Sequence, residues 1–151
     1  MCSEYKEGID LDIVRAVVIC KWTGEFLVDL IIDESVDSVL LSGFVASLSM
    51  FADSSLGKIN DININCEDMD MVIITNGELI MVIKMDKSFL KDQVKKEAHN
   101  LLEAFTIMYR SDIYDNSCNT SQFSDFKGVI MSHIHHIGKK AFLNPEDMVV
   151  G

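Results

Sequence analysis

Residues 36–51, VDSVLLSGFVASLSMF, constrain this chain more than any other stretch: after Asp37 no charge appears until Asp53. Apolar residues at 36, 39, 40, 44, 48 and 51 fit a helical stripe, and Leu41, Val45 and Met50 carry apolar surface beyond it. Asp33, Glu34 and Ser35, just before it, offer capping side chains and negative charge where a helix N-terminus favours both. A helix with one wet face shows charge on that face, and this one shows none. It is therefore expected to be buried on two sides, by its own sheet and by something else. Ser42, Gly43, Ala46, Ser47 and Ser49 give it small-residue positions where another backbone can come close. The second covering is either a later helix or tail of the same chain or a partner. The partner reading is preferred, with Val39, Leu41, Ser42, Val45, Ala46, Ser49 and Met50 as the interface.

The rest of the chain reads as strands and two further helices. Residues 13–20, IVRAVVIC, and 25–32, EFLVDLII, are rich in β-branched residues and joined by a short turn, Lys21-Trp22-Thr23-Gly24, which implies an antiparallel hairpin. Val14, Ala16 and Val18 are expected on one face and Val17 and Ile19 on the other, both apolar, as in a sheet covered on both sides. In 58–66, KINDININC, Ile62 and Ile64 share a face while polar residues alternate with them and Ile59 is out of phase. Either a bulge or a strand starting near Asn60 is expected, as an edge strand or as one with a face left partly uncovered. Asn76-Gly77 between MDMVIIT and ELIMVIKM predicts a hairpin with a type I′ turn. Asp86-Lys87-Ser88 caps a helix running to about Tyr109, whose wet face holds Lys91, Asp92, Lys95, Lys96, Glu97, Asn100 and Glu103. Residues 110–124 read as a loop, and 125–140 as a third helix. The fold expected is α/β (α+β): a three-layer arrangement with a five-stranded antiparallel sheet and helices on both faces, in the order β-β-α-β-β-β-α-α. It forms a single domain over 1–151, with its core about 11–138 and flexible ends at 1–10 and 141–151.

With 151 residues the chain can bury a core without disulfides or metals. Its four cysteines are scattered without a CxxC pair, which points to reduced thiols in a cytoplasmic protein, Cys20 being a small core residue. The acidic, polar start is neither a signal peptide nor an anchor, and no apolar run comes near the roughly 20 residues that span a bilayer. Residues 1–83 hold 15 acidic and 4 basic side chains, and 84–151 hold 9 of each. An acidic front half disfavours nucleic acid; it serves solubility or steers a basic partner.

No phosphate loop, GxGxxG or GxSxG is present, so a nucleotide hydrolase of the common kinds is not expected. His133 and His136, three apart on a helix, could meet a metal ion. With His135 beside them and no HExxH, histidines near a helix C-terminus are the simpler account. Glu67, Asp68 and Asp70 read as a solvated acidic turn. No catalytic residue, cofactor or metal is assigned. Trp22 at the first hairpin tip is either an interface anchor or folded back on the sheet.

The element order, carried by IVRAVVICKWTGEFLVDLII, VLLSGFVASLSMF and MVIITNGELIMVIKM, resembles the roadblock and longin superfamily, over roughly residues 11–138. Strand two entered through a turn with Gly24, then a helix of small and apolar residues, is similar to archaeal and bacterial roadblock-like proteins. Two helices after the last strand are closer to the longin branch, and profilin shares a related sheet order. The resemblance implies a non-enzymatic platform that pairs, as homodimer or heterodimer, through the first long helix or sheet edges and binds small Ras-like GTPases as a regulator or scaffold in trafficking or polarity. An alternative is a small-ligand sensor with a pocket lined by Met69, Met71, Met81 and Met85.

Overall fold

The computed structural model describes residues 13–32, 35–87, 91–113 and 120–133. Five strands form one antiparallel sheet: β1 Val14–Lys21, β2 Phe26–Ile31, β3 Asp61–Asn65, β4 Met69–Thr75 and β5 Leu79–Asp86. Their spatial order is β2-β1-β5-β4-β3, so β2 and β3 are the edges. The helix α1, Ser38–Leu56, follows β2 and must carry the chain from one edge to the other. Nineteen residues at 1.5 Å give it about 28 Å of reach, against roughly 19 Å for the four gaps between five strands. That crossing explains why it runs past Ala52-Asp53, where the apolar pattern fades. Asp37, rather than the residues before it, is the N-cap: its Oδ1 accepts from the N–H groups of Val39 and Leu40, each at 3.1 Å. Gly57, at φ 98°, ends the helix and donates its N–H to the Asp53 carbonyl.

The opposite face carries α2, Lys91–Met108, a short helix α3, Arg110–Ile113, a 3₁₀ turn, Thr120–Phe123, and α4, helical over 126–133. Alternation along the strands feeds two cores. Val17, Ile19, Leu79, Met81, Ile83 and Met85 pack under Val94, Ala98, Leu101, Leu102 and Phe105 of α2, with Phe126 and Ile130 of α4. Val18, Cys20, Ile73, Ile80 and Val82 pack under Val45 and Ala46 of α1. Val14 joins the α2-side core instead of the face of Val18, because the register slips between Val14 and Ala16. The three-layer order expected from the sequence is the observed one.

Three local readings change. The β4–β5 loop is not type I′: Gly77 has positive φ, 98°, and no residue other than glycine does among those described. Asn76 instead pairs with Leu79 and uses its side-chain Oδ1 to accept the N–H groups of Glu78 and Leu79, so the two-residue loop moves to Gly77-Glu78. The stretch 110–124 is not simply a loop. It buries Ile113 and Phe123, and Phe123 packs tilted against Phe105 at 5.5 Å and edge-on to Tyr109 at 5.2 Å (ring centroids). Glu97 leaves the wet face of α2: it is buried, and the Nδ1 of His133 lies 3.2 Å from its Oε1. The expected ends of the chain, His135 and His136 lie outside the described residues.

Candidate partner-binding surface

The α1 helix has two faces, and the sequence stripe marks the outer one. Leu40, Phe44 and Phe51, one and two turns apart, are 72%, 54% and 68% exposed, flanked by exposed Val39 and Met50. Ser42, Val45, Ala46, Ser49 and Ala52 face the sheet and are buried. Of the interface residues expected from the sequence, Val39 and Met50 therefore lie on the outer face and Leu41 on its half-buried flank. Ser42, Val45, Ala46 and Ser49 do not. Their small size serves the sheet: a Cβ placed on Gly24, at φ 96°, would stand 3.5 Å from the Ala46 Cβ and 3.6 Å from the Gly43 Cα. The β1–β2 turn thus rests directly on α1. Ser42 donates back to the Ser38 carbonyl at 2.8 Å, and the Cys20 thiol approaches the Ser42 carbonyl. Burial pushes that thiol up to about 11, so Cys20 is not a nucleophile. The Trp22 side chain is half-buried against the α1-side core, and the residue's backbone N–H donates to the Glu78 carbonyl at 2.9 Å.

By length and composition Ser38–Leu56 is apolar enough to cross a bilayer, against the expectation from the sequence. The cause is the same uncharged outer face. The inner face is taken by the sheet.

The α1 helix lies on β1, β2 and β5, which leaves Met71 of β4 and Ile62 and Ile64 of β3 half-buried beside it. The apolar surface thus extends from the helix across the sheet to its β3 edge. Thr75 N–H donates to Asn60 carbonyl and Cys66 N–H to Met69 carbonyl, in the same register that pairs Ile62 with Ile73. By antiparallel alternation the backbones of Asp61, Asn63 and Asn65 point outward, away from β4. No strand pairs with that edge among the described residues.

On the α2 side β3 is polar and held by lysines. Lys95 Nζ is 3.2 Å from Asp61 Oδ2, and Lys91 Nζ is 3.0 Å from Asn65 Oδ1 and 3.2 Å from Asp70 Oδ2. Lys87 reaches the other Asp70 oxygen at 2.9 Å. Asp70 is therefore no solvated turn residue but a buried carboxylate. The Lys87 hydrogen bond, helped by Lys91 and opposed by desolvation, holds it below the usual carboxylate range. Glu67 and Asp68 do stay exposed.

Among the described residues no three His, Cys, Asp or Glu side chains could hold one metal ion. The four methionines of the ligand-pocket alternative do not line one cavity: Met81 and Met85 are in the α2-side core, Met71 on the α1 side.

No protein-family model and no curated protein sequence matches the chain. Solved structures do. MglB of Myxococcus xanthus aligns with a TM-score of 0.53 at 13% identity, over 66% of this chain and 89% of that one. The gliding protein MglB of Thermus thermophilus aligns at 0.43 and 12%, over 54% and 73%. A roadblock/LC7 domain of Streptomyces avermitilis aligns at 0.41 and 11%, over 49% and 67%. At these identities the likeness is one of fold.

Proposed function

We propose that this chain, whose fold is of the roadblock/longin type, is a non-catalytic interaction module that pairs with a second copy or a similar domain and regulates or scaffolds a small Ras-like GTPase. The observation that carries the pairing is the uncharged outer face of α1, continuous with Ile62 and Ile64 up to an open strand edge. Magnitudes argue for both parts together. Completing the burial of Leu40, Phe44 and Phe51 on both copies supplies about 6–10 kcal/mol, inside the roughly 4–15 kcal/mol that association costs. Backbone pairing along β3 supplies the remainder. A net charge of −11 keeps copies apart elsewhere on the surface, and the uncharged face is where contact costs no charge burial.

The GTPase rests on the resemblance in fold. Purified small Ras-like GTPases, carrying fluorescent GDP or a non-hydrolysable GTP analogue, are titrated with the chain. The reading expects saturable binding that favours one nucleotide state. No response with any of them would remove the GTPase from the account.

A further inference from the structure

We propose that the pairing of the previous section is locked in register by a polar clasp between Asp61 of one copy and Asn65 of the other. It rests on that pairing and adds the residues that fix it. The outward backbone groups of β3 belong to Asp61, Asn63 and Asn65. An antiparallel two-fold centred on Asn63 uses all three of them. It sets Asn63 against its own copy, Asp61 against Asn65 of the second copy, and, on the α1 side, Ile62 against Ile64 of the second copy. The sequence Asp61-Ile62-Asn63-Ile64-Asn65 is close to a palindrome about that centre, so like meets like on each face. A two-fold centred on Asp61 would instead oppose two carboxylates and pair fewer backbone groups.

The side chains are already set for this contact. Lys91 has only hydrogens to donate, so its 3.0 Å bond turns the Asn65 amide with Oδ1 toward the lysine. The Nδ2 of Asn65 is left without a partner among the described residues. Across the two-fold it faces the carboxylate of Asp61, a group that Lys95 steers from its own α2 helix. Each copy contributes one donor and one acceptor, so the two-fold makes two clasps. Lys91 and Asp70 stand behind the donor, and Lys95 behind the acceptor. The clasp therefore selects a partner that carries the same carboxylate–amide spacing, a second copy of this chain.

Asn65→Asp tests the clasp without threatening the fold, because the new carboxylate keeps Lys91 as a neighbour in its own chain. Across the interface it meets Asp61. The dimer dissociation constant, from sedimentation at low salt, is expected to rise about tenfold. The double variant Asp61→Asn/Asn65→Asp exchanges donor and acceptor and is expected to restore most of the affinity. A dimer unchanged by Asn65→Asp would overturn the clasp and leave pairing intact. Weakening that the exchange does not repair would overturn it too, since the effect would then lie within one chain. A monomeric wild type would overturn the pairing itself.

Discussion

The Nδ1 of His133 lies 3.2 Å from the Oε1 of Glu97, which ties α4 to the middle of α2 through a buried carboxylate. Of the three histidines that suggested a metal site, this one is spent on packing two helices.

Glu97→Ala should therefore loosen α4. Losing this hydrogen bond to a buried carboxylate costs about 1–2 kcal/mol. Urea unfolding followed by far-ultraviolet dichroism measures this as a lower midpoint with little change in slope. A Glu97→Ala protein as stable as wild type would show that the contact contributes nothing.

The two faces of α1 should respond very unequally to the same charge. Val45 has no exposed surface, so Val45→Glu buries a carboxylate without a partner and should cost more than about 4 kcal/mol, enough to unfold much of the protein. Phe44, its neighbour in sequence, points outward, and Phe44→Glu should change stability by about 0.5 kcal/mol or less. Thermal melts of the two variants, run at a concentration where the wild type is dissociated, separate these outcomes.

Cysteine chemistry should follow burial. Site-resolved mass spectrometry after brief iodoacetamide treatment is expected to find exposed Cys66 alkylated and Cys20 untouched, the latter because burial both shields the thiol and pushes it up to about 11. Denaturant should open Cys20 to the reagent. Rapid labelling of Cys20 in the native protein would mean that α1 lifts from the sheet.

Acid should weaken the Asp70 cluster. Its carboxyl is held below the usual range when folded, so the unfolded chain binds the proton more readily. The stabilisation is complete above about pH 4, the ordinary carboxylate value, and fades as pH falls through the folded value. Asp70→Asn removes that contribution, so the gap in urea midpoint between wild type and variant should be wider at pH 6 than at pH 3. An equal gap at both values would mean that Lys87 and Lys91 do not act on the ionised form.

The strands and helices were legible in the sequence because their apolar periods differ so plainly. The β3 edge was only partly legible, since the polar Asp61, Asn63 and Asn65 fit an edge strand and a partly uncovered face alike. What hid was orientation. Phe44 and Val45 are both apolar, and a helix without a charged side gives a periodicity argument nothing to turn it by. The inner face could have been found only from its small residues, Ser42, Ala46 and Ser49, read as room for the Gly24 turn and the sheet. Phe123 hid for another reason: one aromatic in a polar stretch has no period, and only its contact with Phe105 and Tyr109 reveals it as core. Asp70 and Glu97 looked wet because their neighbours in sequence are polar; their partners, Lys87 and Lys91 in one case and His133 in the other, come from other elements.

Pairing through the outer face of α1 is the claim on which most else stands, and solution mass tests it most directly. Light scattering of the wild type and Phe44→Glu, side by side at matched concentrations, should give twice the mass of one chain for the first and one chain for the second. A wild-type monomer, or a Phe44→Glu protein that remains a dimer, would contradict the assignment of that face.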